Sequence, residues 1–203
     1  MSPPEAPRRG QILEAAERLL NHYGPAKTTI ADIAREAGVG VGTVYLEFDS
    51  KEAIVEALSN TQHKTVLAQM RRAAESEGPC ADRLRAVLDA RVHALFGLCA
   101  SGAHARDLIH CVRPAVKAAE ARFHEEEQAL LVSLFREAAR TGEFDVAKPE
   151  RTARAVLLAY VSFSPPWVFA FPREDVERML RTMHELVLNG LLRRKVASSK
   201  KTK

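Results

Sequence analysis

The segment Thr28–Lys51, TTIADIAREAGVGVGTVYLEFDSK, leaves this chain few ways to fold. Two short helical patterns sit on either side of a glycine. Ile30, Ile33, Ala34 and Ala37 recur at helical spacing and define one apolar face. Thr29 stands where an N-cap belongs, and Asp32 three residues later completes a capping-box pattern. The helix over Ile30–Ala37 is expected to stop at Gly38, which takes positive φ without strain. Val39 then plugs back into the small core. A second short helix follows over about Val41–Glu47, with Val44 and Phe48 facing inward. Ser50 caps a third helix, and Lys51 lies in its first turn.

A helix of this size fits the major groove of B-DNA, about 12 Å wide. In a helix-turn-helix the second helix brings its N-terminal residues to the base edges. Those residues here are Gly40, Val41, Gly42 and Thr43. They are small, which permits close approach, and Thr43 offers a hydroxyl or a methyl to thymine.

The run A-D-I-A-x-x-A-G-V-x-x-G-T-V-Y-x-x-F-x-S-K resembles the helix-turn-helix of TetR-type bacterial transcription regulators. The resemblance covers about two dozen residues, and beyond them only length and helical character fit. It implies phosphate contacts from Thr28, Tyr45 and Lys51, each with a physical reason. Thr28 stands at a helix start, where free N–H groups favour an anion. Tyr45 turns a phenol outward, and Lys51 adds a cation to the next helix N-terminus. Thr29 and Leu46 complete the candidate DNA-binding set. Two positions depart from the family, which often has Ser or Thr at Gly40 and His or Tyr at Glu47. Glu47 would repel a phosphate but can accept from cytosine N4. With few polar readers on Val41–Leu46, specificity is expected to rest partly on DNA shape.

Charge does not point to DNA. The net charge of +4 comes from the tail RRKVASSKKTK, which holds six cations and no acid. Without that tail 24 Lys and Arg face 26 Asp and Glu. Residues 1–51 carry six basic against seven acidic side chains. Binding must therefore use a few placed contacts rather than bulk charge.

The rest of the chain is read as helices. Arg8–Tyr23 places Ile12, Leu13, Ala16, Leu19 and Leu20 on one stripe, and Gly24–Pro25 ends it. The helix after Ser50 runs to about Glu75, and Gly78–Pro79 is the clearest break. Helices are expected over Asp82–Ala100, about Ala103–Val112 and Pro114–Arg140, with Pro114 suited to a first turn. Arg91 falls on the otherwise apolar face of the first of these. Another helix starts near Pro149 and carries Val156, Tyr160, Val161 and Phe163 until Pro165–Pro166 ends or kinks it. The last spans about Arg173–Leu192. No strand pattern and no internal repeat is present.

The expected fold is all-α, with an N-terminal three-helix helix-turn-helix domain and a larger C-terminal helical ligand-binding and dimerisation domain. The domains are read as residues 1–51, with the motif at 29–48, a linking helix at 52–78, the larger domain at 79–192, and a basic tail at 193–203. The first residues lack an apolar leader, and no run approaches the ~20 apolar residues that span a bilayer. Three cysteines, 19 and 12 residues apart, suggest no disulfide framework. A reduced cytoplasmic protein without membrane partners follows.

Partners and ligand rest on the last helices and the resemblance together. The faces Val156/Tyr160/Phe163 and Met179/Leu180/Met183/Val187 look too wide for one neighbour. The family implies a four-helix homodimer interface there, so that two copies bind a palindromic double-stranded operator. Val156, Tyr160, Met179, Leu180, Met183 and Val187 are the expected interface. The family also implies a small-molecule pocket within residues 79–170. Phe96, Cys99, His110 and Phe123 are candidate lining, and so are Phe135, Tyr160, Phe163 and Trp167. Such a wall suits a lipophilic or aromatic effector. The alternative is a DNA binder controlled by a protein or by oxidation of Cys99 or Cys111. His104, Asp107 and Cys111 share a helical face, but helices produce such triples often, so neither metal nor cofactor is expected. No nucleophile elbow, phosphate loop or dinucleotide fingerprint is present, which argues against an enzyme.

Overall fold

The computed structural model describes residues 8–99, 104–108 and 113–192. Eight α-helices are found among them: α1 Arg8–Tyr23, α2 Ile30–Glu36, α3 Val41–Glu47, α4 Lys51–Ala74, α5 Cys80–Cys99, α6 Pro114–Thr141, α7 Pro149–Ala159 and α8 Arg173–Leu191. The all-α expectation holds. An isolated antiparallel bridge between Phe144 and Leu192 is the one β-type pairing in the described residues. No helix among them is long and apolar enough to cross a membrane.

Two cores organise the chain. The smaller gathers Ile12, Ala16 and Leu20 of α1, Ile33 and Ala34 of α2, and Val44 and Phe48 around α3. Ile54, Val55 and Leu58 of α4 close it. The larger takes Val66, Leu67 and Met70 from the far half of the same helix, with apolar faces of α5, α6, α7 and α8. With 24 residues, α4 is about 36 Å long and is a structural part of both cores. Leu108 and Val116 join the smaller core from beyond α5, so the two units share a border as well as a helix.

The helix ends follow local chemistry where a local cap exists. Thr29 accepts from Asp32 N–H at 3.1 Å, and the Asp32 carboxylate accepts from Thr29 N–H at 3.1 Å. Gly38 has φ of 66°, which permits the reversal between α2 and α3. Ser50 caps α4 by accepting from Ala53 N–H at 3.1 Å. Gly142 ends α6 in the left-handed region.

Elsewhere the ends depart from expectation. α5 starts at Cys80 rather than Asp82, because its cap comes from another part of the chain. The Glu143 carboxylate accepts from both Cys80 N–H and Ala81 N–H at 2.8 Å. A carboxylate at a helix N-terminus meets free donors and the positive end of the dipole. Glu143→Ala is expected to cost about 1–2 kcal/mol in urea unfolding, and Glu143→Gln about half of that. Burial, and next the Glu143 charge, push the Cys80 thiol pKa up. α7 stops at Ala159, earlier than expected. Short 3-10 turns follow at Val161–Phe163 and Trp167–Ala170. Pro165 disfavours a helical residue before it, so the chain tightens ahead of the prolines. Of the expected helix over Ala103–Val112, residues 104–108 are described, with a 3-10 turn at Ala105–Leu108.

A polar chain crosses the larger core. The Tyr160 hydroxyl meets His184 Nδ1 at 2.6 Å, and His184 Nε2 meets the Asp89 carboxylate at 2.8 Å. It joins α5, α8 and the turn after α7.

Candidate functional site

The capping box on α2 and the Gly38 turn fix α3 against α1. Val44 is buried, and the opposite side of α3 faces water. Tyr45 is 53% exposed and Leu46 is 84% exposed, with Val41 and Gly42 beside them. These are the expected reading residues, on one free surface with Gly40 and the partly exposed Thr43.

Two of the expected phosphate contacts are engaged within the protein. Thr28 is only 2% exposed, and its hydroxyl donates to the Gly24 carbonyl at 3.0 Å. It latches the loop before α2 and does not present a side chain to solvent. The Lys51 ammonium donates to the carbonyls of Pro25 at 2.8 Å and Thr28 at 3.0 Å. Two of its three hydrogens are thus spent on that loop. Arg9, at the start of α1, completes the frame. Arg9 Nη1 donates to the Glu47 carbonyl at 2.6 Å, and its guanidinium lies 4.0 Å from the Phe48 ring centroid. A cation there satisfies the C-terminal end of α3. Most nearby cations are also engaged, with Arg18 on Glu36 and Arg35 on Asp32. Thr29, by its hydroxyl and its N–H, holds the Asp32 carboxyl below its usual pKa.

In the larger unit a cavity of about 270 Å³ opens between α6 and α7. Its floor is charged. Arg91 Nε donates to Glu127 at 2.7 Å, both side chains being buried, and Arg91 Nη1 donates to the Ser164 hydroxyl at 2.8 Å. His124 Nδ1 lies 2.8 Å from Glu127. Burial alone would raise the Glu127 pKa, but the Arg91 charge and the His124 hydrogen bond hold it low. Leu157, Leu158, Val161 and Trp167 form the apolar wall, and Arg154 stands at the same cavity.

The expected lining therefore divides. Trp167 is on the wall. Phe123 lies behind it, stacked on His63 with centroids 4.8 Å apart, and lines a separate hollow of about 220 Å³ between α4 and α6. Phe135, Tyr160 and Phe163 fill the core, and Phe96 packs against its edge. The Cys99 side chain, His110 and Cys111 lie outside the described residues. The cavity is more polar than an aromatic wall because its charges come from two helices and cancel only in space. Among the described residues no group of three or more His, Cys, Asp or Glu side chains is placed to hold a metal.

The two buried-edge histidines shift in opposite senses. Hydrogen bonds to Glu120 and then Glu127 push His124 up to about 9. Burial pushes His63 down to about 4. Relative to an unfolded value near 6.5, His124 stabilises fully below 6.5 and loses that contribution as pH rises through about 9. His63 refuses in the fold a proton that the unfolded chain accepts, so stability falls as pH drops from 6.5 toward 4. Thermal melts between these limits should show both flanks. His63→Phe is expected to flatten the acid flank and His124→Gln the alkaline one.

The α7–α8 face also needs correction. Val156, Tyr160 and Leu180 belong to the core, Leu180 being 3% exposed. Met179 is exposed, while Met183 and Val187 are half-buried. Leu158 and the 66% exposed Leu186 extend the apolar surface. A groove between α7 and α8 is bordered by Arg151, Ala155, Leu186 and Gly190. Tyr160 points inward, where its hydroxyl meets His184.

Residues 12–58 match the family described as bacterial regulatory proteins, tetR family. The "Probable HTH-type transcriptional regulator ArpR" of Pseudomonas putida is 35% identical over 164 residues, spanning 75% of this chain and 76% of that protein. The HTH-type transcriptional regulator TtgR, also of Pseudomonas putida, is 48% identical over 69 residues, 34% of this chain and 32% of its own. In fold, FadR of Bacillus subtilis, solved in complex with stearoyl-CoA, matches with a TM-score of 0.69 at 19% identity, covering 89% of this chain and 98% of that one. The surface of α3, the caps that hold it and these likenesses agree: the chain belongs to the TetR family, and it is a DNA-binding transcription regulator, not an enzyme.

Proposed function

We propose that the protein is a homodimeric repressor of the cytoplasm that binds a palindromic operator and is released by a small molecule in the α6–α7 cavity. In this reading residues 1–51 are the reading head, α4 is the link, and residues 79–192 are the ligand-binding and dimerisation unit. One α3 covers too little DNA for high specificity, so two copies bind half-sites about one helical turn apart. The exposed apolar face of α7 and α8 supplies the dimer. DNA contacts come from Thr29, Gly40, Val41, Gly42, Thr43, Tyr45 and Leu46. Lys51 and Thr28 hold the loop that orients them.

The observation that carries the effector reading is the grip of α4 on α6. Arg122 donates to Glu56 at 2.7 Å, Arg71 to Glu126 at 2.6 Å, and Arg113 pairs with Glu52. Glu120, His124, Glu127 and Gln128 of α6 line the cavity. A ligand that favours one position of α6 therefore biases α4 and the spacing of the two reading helices. With apolar walls and a neutralised charged floor, the site suits a lipophilic or aromatic compound bearing a polar group.

A footprint on the DNA upstream of the coding sequence is expected to show two-fold protection over a palindrome. Tyr45→Ala should weaken binding about tenfold or more, the value of a hydrogen bond to a charged group. Unchanged binding by that variant would remove the assignment of Tyr45. Trp167 is the only tryptophan, so its emission reports on the cavity. A compound that quenches it without changing operator affinity would remove the cavity from the regulatory reading.

A further inference from the structure

We infer that α3 reads its DNA chiefly through the C5-methyl groups of thymine, with Leu46 and Val41 as the reading side chains. This rests on the placement of α3 in the major groove. Leu46 is the most exposed of the large apolar side chains described, and Val41 lies on the same outward surface, while Val44 and Phe48 take the inward one. Leu46 is 84% exposed and Val41 is 42% exposed.

The bidentate purine readers are absent from this surface. Between Gly40 and Phe48 there is no Arg, Lys, Asn or Gln. Arg and Lys recognise guanine O6 and N7, and Asn and Gln recognise adenine N6 and N7. Nearby cations do not substitute. Arg9 is fixed on the Glu47 carbonyl and the Phe48 ring, Arg35 on Asp32, and Lys51 on two carbonyls. Beside the Thr43 and Tyr45 hydroxyls and the Glu47 carboxylate, α3 offers methyl groups, and thymine alone among the bases offers an apolar group in the major groove.

The glycines point the same way. Neither Gly40 nor Gly42 has positive φ. A Cβ added at Gly42 would meet nothing within 4 Å, and at Gly40 only the Thr43 hydroxyl at 3.8 Å. The protein's own packing therefore does not require glycine at either position. With α3 in the groove, the absence of two side chains lets the helix approach the base edges closely enough for short apolar contacts.

The test starts from duplexes selected by the full-length protein from a random pool. Each thymine of the selected sequence is replaced in turn by deoxyuridine, which lacks only the methyl. Affinity is then measured by fluorescence anisotropy at one salt concentration. At least one thymine per half-site is expected to lose about fourfold when its methyl is removed, the equivalent of ~0.8 kcal/mol for one buried carbon. Symmetric replacement in both half-sites should cost roughly sixteenfold. Leu46→Ala or Val41→Ala should bind the unmodified duplex more weakly and be insensitive to the same replacement. Selected duplexes on which every deoxyuridine is silent, or variants as sensitive as the wild-type protein, would overturn the inference and leave α3 reading shape. A pool from which nothing is enriched overturns the operator reading itself.

Discussion

Arg91→Met is expected to destabilise the protein by about 3–5 kcal/mol in urea unfolding, a large share of the roughly 5–15 kcal/mol that holds a domain together. The reason is the charge left behind. Glu127 is as buried as Arg91, and the guanidinium is its nearest counter-charge, at 2.7 Å. Without it the carboxylate must keep its charge against burial with only His124 beside it, or take up a proton. Removing both members should be far milder. Arg91→Met combined with Glu127→Leu is expected to recover more than half of the loss, because no uncompensated charge remains. A single variant within about 1 kcal/mol of the wild type would show that the pair is less isolated from water than its burial implies.

Leu186→Asp is expected to have the largest effect on function. Leu186 is exposed in one chain and borders the α7–α8 groove, so an aspartate there leaves the monomer fold intact. In a dimer the same carboxylate would be desolvated against apolar side chains of α7 and α8. Sedimentation at micromolar concentration should show a monomer, and operator affinity should fall by about 10²–10⁴-fold as the second half-site becomes a separate encounter. Leu180→Asp, which the bare sequence suggests for this purpose, would instead place a charge in the larger core and unfold the chain. A Leu186→Asp variant that remains dimeric would move the interface elsewhere.

Much of the reading head was legible because its signals are local. Thr29 and Asp32 lie three residues apart, Gly38 marks its own turn, and Ser50 announces α4. The features that needed the structure join residues far apart in the chain. Glu143 caps α5 across more than 60 residues, and Arg9 seals α3 from 38 residues away. Arg91 gave a partial signal, a cation on an apolar stripe, which demands a partner without naming Glu127. Around α7 and α8 the expected apolar set divides, with Val156, Tyr160 and Leu180 buried and Met179 left outward. Hydrophobic periodicity cannot tell which side of a wide apolar stripe meets its own core, and the hydrogen bond between Tyr160 and His184 settles it here.

The ion pairs between α4 and α6 have a consequence for how binding is measured. Arg71–Glu126, Arg122–Glu56 and Arg113–Glu52 are solvent-accessible, and added salt weakens such pairs. Salt also weakens the grip on phosphate by counterion release. A plot of operator affinity against ionic strength therefore sums two processes, and its slope overstates the number of phosphates touched. Repeating the titration with Glu52, Glu56 and Glu126 neutralised separates them: the part of the slope that disappears belongs to the joint between the helices, and the remainder to the DNA.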